Sequence, residues 1–268
     1  MKILIVGAGN MGKTYIRSLL SSHFTLPADI YILDKNLVSE PFMKGIPAEQ
    51  YFSVPNAQIS KADIIILAVK PQDFEQLAAA MQPFIHAEQI ILSIMAGITM
   101  ASLSKHLGSE RIVRSMPNLP AQVGMGMTVF TCSPLLDRKE LFIVQNLLNT
   151  TGKSVYVEDE KMIDAATAIS GSGPAYVYYF MEAMIQTAMG MGFSRAEAEL
   201  MVAQTFMGAV NLHSKNDLSC QEWINRVASK GGTTEAAIKV FDEKTLNDGI
   251  ASGLTAALLR ARELGAAK

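Results

Sequence analysis

The sequence contains few of the residues that build disulfide frameworks or metal centres. Its 268 residues include two cysteines, Cys132 and Cys220, and four histidines. The cysteines lie far apart without the short spacing of a zinc site, so we predict two buried free thiols. We also expect no metal site, because the histidines are scattered: they are His23, His86, His106 and His213.

An excess of charge and long apolar runs are also missing. Lys and Arg total 23 against 25 for Asp and Glu, so we expect neither nucleic acid nor a membrane as a partner. A long uncharged stretch, residues 165–181, is interrupted by two glycines and a proline. It predicts a buried helix with a loop leading into it rather than a membrane span. The apolar run near the start is too short for a signal peptide, and we expect a cytoplasmic protein.

The first half of the chain alternates short apolar runs with helix-like stretches. Runs that are apolar throughout are typical of strands buried on both faces. Their alternation with helices predicts an α/β fold with a doubly wound, mostly parallel sheet. The predicted strands are 2–6, 30–34, 63–69, 89–94, 111–116, 127–130 and 154–157, and the predicted helices are 11–21, 74–81, 100–106 and 137–148.

The pattern becomes wholly helical after residue 157. Helices are predicted at 219–228, 234–243 and 245–264, and a capping box at Ser194 and Glu197 begins another. We therefore predict two domains, 1–158 and 159–268.

Gly249 and Gly253 would let a neighbouring helix approach closely, so we expect the helical domain to form a homodimer. Methionines at near-helical spacing predict a core stripe: Met181, Met184, Met189, Met191, Met201 and Met207.

A glycine motif follows the first predicted strand. In "VGAGNMG", Gly7 permits a tight turn, Gly9 lets backbone approach a pyrophosphate, and Gly12 lets the helix pack on the strand. This spacing in this context predicts a Rossmann-type dinucleotide-binding domain. The predicted cofactor contacts here are Val6, Gly7, Ala8, Gly9, Asn10, Met11 and Gly12.

Asp34 ends the second predicted strand, where a carboxylate can accept hydrogen bonds from the ribose hydroxyls. A carboxylate would repel a 2′-phosphate, which favours NADH over NADPH. Lys35 follows and could neutralise that phosphate, so both cofactors stay open.

Segments that follow three other predicted strands should line the dinucleotide-binding crevice together with the glycine motif. Ligands of such sheets bind beyond the carboxyl ends of the parallel strands. Ala96 and Gly97 would let a flat ring come close. Lys70 and Asn118 have an alternative interpretation as ordinary strand-end side chains. The predicted cofactor-binding residues here are Ala68, Val69, Lys70, Pro71, Met95, Ala96, Gly97 and Asn118, together with Asn56.

A second glycine turn lies late in the chain, in "VASKGGTTEAAIKVF" at 227–241. Two interpretations are open. Thr233 or Thr234 could simply cap the following helix, or an anion could bind the free N–H groups at its start.

The segments "GAGNMG", "LAVKPQ", "SGSGPAYVYYFMEAM" and "VASKGGTTEAAI" together resemble the Δ1-pyrroline-5-carboxylate reductases, along nearly the whole chain. The resemblance implies an oxidoreductase that reduces the cyclic imine pyrroline-5-carboxylate to L-proline with NADH or NADPH, the last step of proline biosynthesis. It also implies dimerisation through the helical domain, with rings of dimers in many members.

The resemblance further implies the roles of individual residues. Backbone N–H groups of Gly232, Thr233 and Thr234 would bind the substrate carboxylate, with Ser229 and Gly231 completing the pocket. Thr234 would be the catalytic residue, with its hydroxyl at the ring nitrogen. Glu160 matches a position near the cofactor or the dimer seam.

This chain departs from the family pattern at three positions. Lys230 replaces a proline, Asp217 replaces a glutamate, and Asp34 replaces a residue more favourable to phosphate. Two alternatives therefore stay open. One is a reductase of another cyclic imine or of a β-hydroxyacid, and the other is a non-catalytic dinucleotide-binding relative with a regulatory role.

Overall fold

The computed structural model describes residues 1–36 and 41–266. The chain forms two compact units. The first comprises Met1–Pro174 together with Ala257–Lys268, and the second comprises Ala175–Ala256. The predicted domain boundary after residue 158 rests on a change of sequence pattern, whereas these units rest on spatial contacts, so that boundary stays a prediction.

The first unit is built on an eight-stranded sheet in the order β3-β2-β1-β4-β5-β6-β7-β8. All neighbouring pairs are parallel except β6 and β7. The strands are β1 (Ile3–Val6), β2 (Ile30–Leu33), β3 (Tyr51–Phe52), β4 (Ile64–Leu67), β5 (Ile90–Ser93), β6 (Ile112–Met116), β7 (Gly126–Cys132) and β8 (Gly152–Tyr156).

The central strands are apolar throughout because both faces of the sheet are covered. Every residue of β1, β2, β4 and β5 is buried. Alternate side chains serve opposite layers, since successive residues of a strand point to opposite faces. The helices of this unit that flank the sheet are α1 (Asn10–Ser21), α2 (Phe74–Met81), α3 (Met100–Leu107) and α4 (Arg138–Asn149).

Two apolar clusters fill the spaces between the sheet and these helices. Ile3 and Ile5 belong to the cluster that includes residues of α1 and α4. Leu4 and Val6 belong to the cluster that includes residues of α2 and α3. The predicted doubly wound, mostly parallel sheet is confirmed, and only the two-residue strand β3 was missed, because it is too short to form an apolar run.

A buried ion-pair network ties the sheet to α5 (Lys161–Ala166). The side chain of Arg114 on β6 is 3% exposed and donates hydrogen bonds to Glu160 at 3.0 Å and to Asp164 at 2.7 Å. Glu160 also accepts a hydrogen bond of 2.8 Å from the backbone N–H of Met100, the first residue of α3. The two carboxylates therefore hold α5, β6 and the start of α3 together.

The second unit is entirely helical in the described residues. Its helices are α6 (Gly173–Gly190), which begins in the first unit, α7 (Arg195–Ser214), α8 (Cys220–Val227), α9 (Thr233–Glu243) and α10 (Leu246–Ala266), which ends in the first unit. The predicted capping box of α7 is confirmed at Ser194 and Glu197. A second one begins α8, where hydrogen bonds from Ser219 hold the pKa of Glu222 below its usual range.

Three expectations about burial are wrong for the single chain. Residues 165–181 do not form a loop and a buried helix, because a π-helical turn at Thr167–Gly171 connects α5 to α6 and Tyr179 is 76% exposed. Cys132 and Cys220 are free thiols, but the first is only partly buried and the second is exposed. The methionine stripe is mostly exposed, at Met184, Met189, Met191, Met201 and Met207.

These exposed apolar side chains share a physical cause. Inside the second unit, the buried apolar cluster consists of Ile185, Ala198 and Val202, packed by a few partly buried neighbours. Residues of α6 and α7 outside this cluster, such as Tyr179 and Leu200, present apolar surface to solvent. Contiguous apolar surface of this kind indicates an interaction site. Among the described residues, no helix is both long and apolar enough to cross a bilayer.

We expect the protein to sediment as a dimer or a larger assembly, at no less than twice the 29.0 kDa chain mass. Replacing Tyr179 by Glu should weaken that association, because a charge would enter a desolvated surface. The control is Leu26→Glu, an exposed apolar residue of the first unit. Analytical ultracentrifugation at micromolar concentration measures both. A clean monomer for the unmodified chain would contradict the expectation.

Candidate active site

The glycine motif forms a close turn between β1 and α1. Gly7 has a positive φ of 94°, and a Cβ there would lie 2.8 Å from a side-chain carbon of Val69. At Gly12, a Cβ would lie 1.9 Å from the carbonyl oxygen of Gly7. Both positions therefore require glycine, the first for its conformation and the second for its missing side chain.

Gly9 differs from the other two glycines, because nothing lies within 4 Å of a Cβ built on it. It is the N-cap of α1, no side chain caps the helix, and no acidic residue lies in the first turn. The unpaired N–H groups and the positive end of the helix dipole are therefore left for a ligand. This arrangement fits a pyrophosphate.

A cleft of about 510 Å³ opens beside this turn. It brings together seven of the predicted cofactor-binding residues: Gly7, Gly9, Asp34, Lys35, Ala68, Val69 and Lys70. Sequence reasoning missed the other lining residues, which are Leu33, Asn36, Ser53, Asp73, Gln76, Leu77 and Ala80. The last four recur at the spacing of one helix face, and that spacing was the signal available for finding them.

Asp34 is held in place at the end of β2. Its carboxylate accepts hydrogen bonds from the backbone N–H groups of Ala8, at 2.5 Å, and Asn36, at 2.7 Å. Two oxygens offer about four acceptor sites, so capacity remains for ribose hydroxyls. The carboxylates of Asp34 and Asp73 balance the ammonium groups of Lys35 and Lys70, and the described lining includes no arginine.

Other predicted cofactor residues of the strand ends have partners within the chain. Asn118 donates a hydrogen bond to the carbonyl of Ser170 and accepts one from the N–H of Met127, each 2.9 Å long. Its amide is thus occupied in connecting β7 to the π-helical turn. Asn56 is engaged within its own turn, with Val54 and Gln58.

The space above Gly97 is filled by the chain itself. Gly97 has a positive φ of 73°, and a Cβ there would lie 3.1 Å from the carbonyl oxygen of Leu264, near the end of α10. Met95 is buried in the core cluster of α2 and α3, and Glu160 is engaged by Arg114 and Met100. Contacts of these residues with a cofactor stay predictions.

The remaining predicted cofactor residues flank the turn or the strand ends without lining the cleft. They are Val6, Ala8, Asn10, Met11, Gly12, Pro71 and Ala96, of which Val6 is fully buried in the sheet. Gly12 contributes by packing, as described above.

The late glycine turn lies in the second unit, between α8 and α9. Gly231 has a positive φ of 73°, and the N–H of Gly232 closes the turn with a 2.9 Å hydrogen bond to the carbonyl of Ser229. A Cβ on Gly232 would lie 2.6 Å from the Ser229 hydroxyl oxygen. The glycines therefore allow a tight approach of Ser229 that a larger residue at 232 would prevent.

The simple capping interpretation of the two threonines is wrong. Gly232 is the N-cap of α9, and Thr233 and Thr234 are its first two residues. No side chain caps this helix, so the N–H groups of Thr233 and Thr234 have no hydrogen-bond partner within the described part of the chain. As at α1, the start of the helix can accept an anion.

Among the described residues, no three or more histidine, cysteine, aspartate or glutamate side chains come together where they could hold a metal ion. The first unit thus carries a cleft suited to a dinucleotide, and the second unit carries a turn suited to a small anion.

Comparison with known proteins matches two family models to separate parts of the chain. The family model described as "Pyrroline-5-carboxylate reductase dimerisation" matches residues 160–264, and the model described as "NADP oxidoreductase coenzyme F420-dependent" matches residues 2–97. Pyrroline-5-carboxylate reductase of Pseudomonas aeruginosa is 34% identical, covering 98% of this chain and 96% of its own. The Escherichia coli enzyme of that name is 33% identical, with 98% of each chain covered.

Solved structures agree with the sequence relatives. Pyrroline carboxylate reductase from Plasmodium falciparum, with NADP bound, superposes with a TM-score of 0.88 at 26% identity, covering 99% of this chain and 98% of that chain. A pyrroline-5-carboxylate reductase from Coxiella burnetii gives the same TM-score at 29% identity, with 98% of each chain covered. With the similarity extending from the glycine motif to the last helix, this chain belongs to the pyrroline-5-carboxylate reductase family.

Proposed function

We propose that this protein reduces the C=N bond of 1-pyrroline-5-carboxylate to give L-proline, with a reduced nicotinamide dinucleotide as hydride donor. The observation that carries the proposal is the turn before α9. A dinucleotide cleft occurs in many reductases, but the uncapped start of α9, with two threonines in its first turn, specifies a small acidic substrate.

The residues of the first unit fit the cofactor. Gly9 leaves room for the pyrophosphate at the start of α1, and Asp34 has acceptor capacity for the ribose hydroxyls. We propose NADH as the preferred cofactor, because the Asp34 carboxylate disfavours a 2′-phosphate. Lys35 is the neighbouring cation that would act in the opposite direction. When bound, the nicotinamide supplies a hydride.

The residues of the second unit bind and orient the substrate in this proposal. The N–H groups of Thr233 and Thr234 hold the carboxylate, with added stabilisation from the helix dipole. The N–H of Gly232, which the sequence also assigned to the carboxylate, is engaged by the carbonyl of Ser229. The hydroxyl of Thr234 orients the ring nitrogen, which enters as an iminium or takes a proton during reduction. A threonine hydroxyl is a weak acid, so alignment of the two reactants supplies most of the acceleration.

The helical unit serves as the dimerisation surface. The matched family model is named for dimerisation and spans residues 160–264. The exposed apolar side chains of α6 and α7 supply the surface that such an interface needs. We propose a homodimer through these helices, which can assemble further into a ring of dimers.

The first prediction from this proposal concerns turnover. The purified protein should oxidise NADH when 1-pyrroline-5-carboxylate is added, with a lower kcat/KM for NADPH. Absorbance at the reduced-nicotinamide band measures the rate with each cofactor. A six-membered cyclic imine is the comparison substrate, and a higher kcat/KM on it would assign this chain to another imine. No oxidation with any imine would support a non-catalytic role.

The second prediction separates the roles of two glycines. Gly9→Ala should fold normally, because its Cβ meets open space, yet bind NADH about tenfold or more weakly, because the methyl group obstructs the pyrophosphate. Gly12→Ala should lower the free energy of unfolding by about 1–3 kcal/mol or more, because its Cβ overlaps the Gly7 carbonyl. Fluorescence titration and thermal unfolding measure the two effects. Equal effects of both changes on stability would contradict this assignment.

The third prediction concerns Thr234. Thr234→Ala should lower kcat by about tenfold to hundredfold, as expected for loss of a hydrogen bond to an atom that changes charge. The KM for the cofactor should stay nearly the same. Thr234→Ser keeps the hydroxyl and should retain most of the activity. Steady-state kinetics of the unmodified protein and the two variants measure these effects. Full activity of Thr234→Ala would refute the proposed role.

A further inference from the structure

The start of α9 differs from the starts of three other helices in this chain. Those helices begin with a full capping box, in which the N-cap side chain accepts an N–H bond from the third helical residue and a glutamate at that residue accepts one from the N-cap N–H. The pairs are Asp137 with Glu140, Ser194 with Glu197, and Ser219 with Glu222.

In α9 only half of this arrangement is present. The third residue is again a glutamate, Glu235. The N-cap, however, is Gly232, which has no side chain to accept a hydrogen bond from the N–H of Glu235. The carboxylate of Glu235 instead accepts a 2.7 Å hydrogen bond from the N–H of Gly231, one residue before the N-cap. The glutamate is thus bound to the loop, while the N–H groups inside the first turn stay open.

Gly231 is the residue of this turn that most needs a restraint. It has a left-handed φ of 73°, and nothing lies within 4 Å of a Cβ built on it. Glycine has more conformational freedom to lose than any other residue. In the described structure, the N–H of Gly231 donates its hydrogen bond to Glu235. Gly231 is followed directly by Gly232 and Thr233, where α9 begins.

We infer that Glu235 is a positioning residue, which holds Gly231 in its left-handed conformation and so orients the N–H groups that bind the substrate carboxylate. The inference rests on the proposed function. Its physical basis is that an ordered loop binds a ligand without first losing conformational freedom. The negative charge of Glu235 does not itself help an anion to bind, so its contribution lies in the acceptor oxygen.

Three variants test this inference. Glu235→Ala removes the acceptor and the charge, whereas Glu235→Gln removes the charge but keeps an acceptor oxygen. Glu243→Ala is the matched control, since Glu243 is an exposed glutamate at the other end of α9, paired only at 3.9 Å with Lys239. All three changes lie at exposed positions, so the fold should be retained.

We expect the KM for the substrate to change and the KM for the cofactor to stay the same. Glu235→Ala should raise the KM for 1-pyrroline-5-carboxylate by about threefold to tenfold, the effect of one hydrogen bond, with the KM for the cofactor nearly the same. Glu235→Gln and Glu243→Ala should stay within about twofold of the unmodified enzyme. An unchanged substrate KM in Glu235→Ala, or an equal rise in Glu235→Gln, would overturn the inference.

Amide hydrogen exchange gives a readout that does not depend on turnover. The Gly231 N–H should exchange faster in Glu235→Ala than in the unmodified protein, and Glu235→Gln should keep the slower rate. Equal exchange in all variants would overturn the positioning role. If the unmodified protein did not turn over pyrroline-5-carboxylate, the proposed function would fail, while hydrogen exchange would still decide whether Glu235 orders the turn.

Discussion

The near contact between Gly12 and the carbonyl oxygen of Gly7 is the constraint on which the first unit depends. A single added methyl group at Gly12 would lie 1.9 Å from that oxygen, so α1 can begin directly against the turn only because both residues are glycine. That contact places the start of α1 at the carboxyl ends of the central strands. The cleft with Asp34 and Lys70 follows from this geometry, because those residues lie just after the two strands beside β1.

The two helix starts assigned to ligands differ from the starts of α4, α7 and α8. At α1 and α9 the N-cap is glycine and no side chain accepts from the first turn. At α4, α7 and α8 the N-cap serine or aspartate accepts from the N–H of the third helical residue, and a glutamate accepts from the N–H of the N-cap. A capping side chain stabilises a helix by about 1 kcal/mol, so its absence at α1 and α9 is a local cost that a bound anion can offset.

The second unit shows that one chain alone does not supply its own core. Its small internal cluster leaves tyrosines, methionines and leucines of α6 and α7 in solvent. The hydrophobic effect favours removing such surface from water. The matching family model is named for dimerisation, so the helical region of a second copy is the surface that would cover it. The same observation explains why the methionine stripe looked like a core in the sequence: the periodicity reports an apolar face but not which molecule covers it.

The sequence by itself determined the strand and helix pattern of the first unit, because strands buried on both faces are apolar throughout and closely spaced glycines mark the turn after β1. It also identified the two glycine turns, since their backbone requirements exclude other residues. Tertiary structure alone decided that Asn118 and Glu160 are engaged by Ser170, Met127, Arg114 and Met100, and that Leu264 covers Gly97. All of those partners except Met127 lie far away along the chain. No local pattern encodes which distant residue will meet a given polar group once the fold has formed.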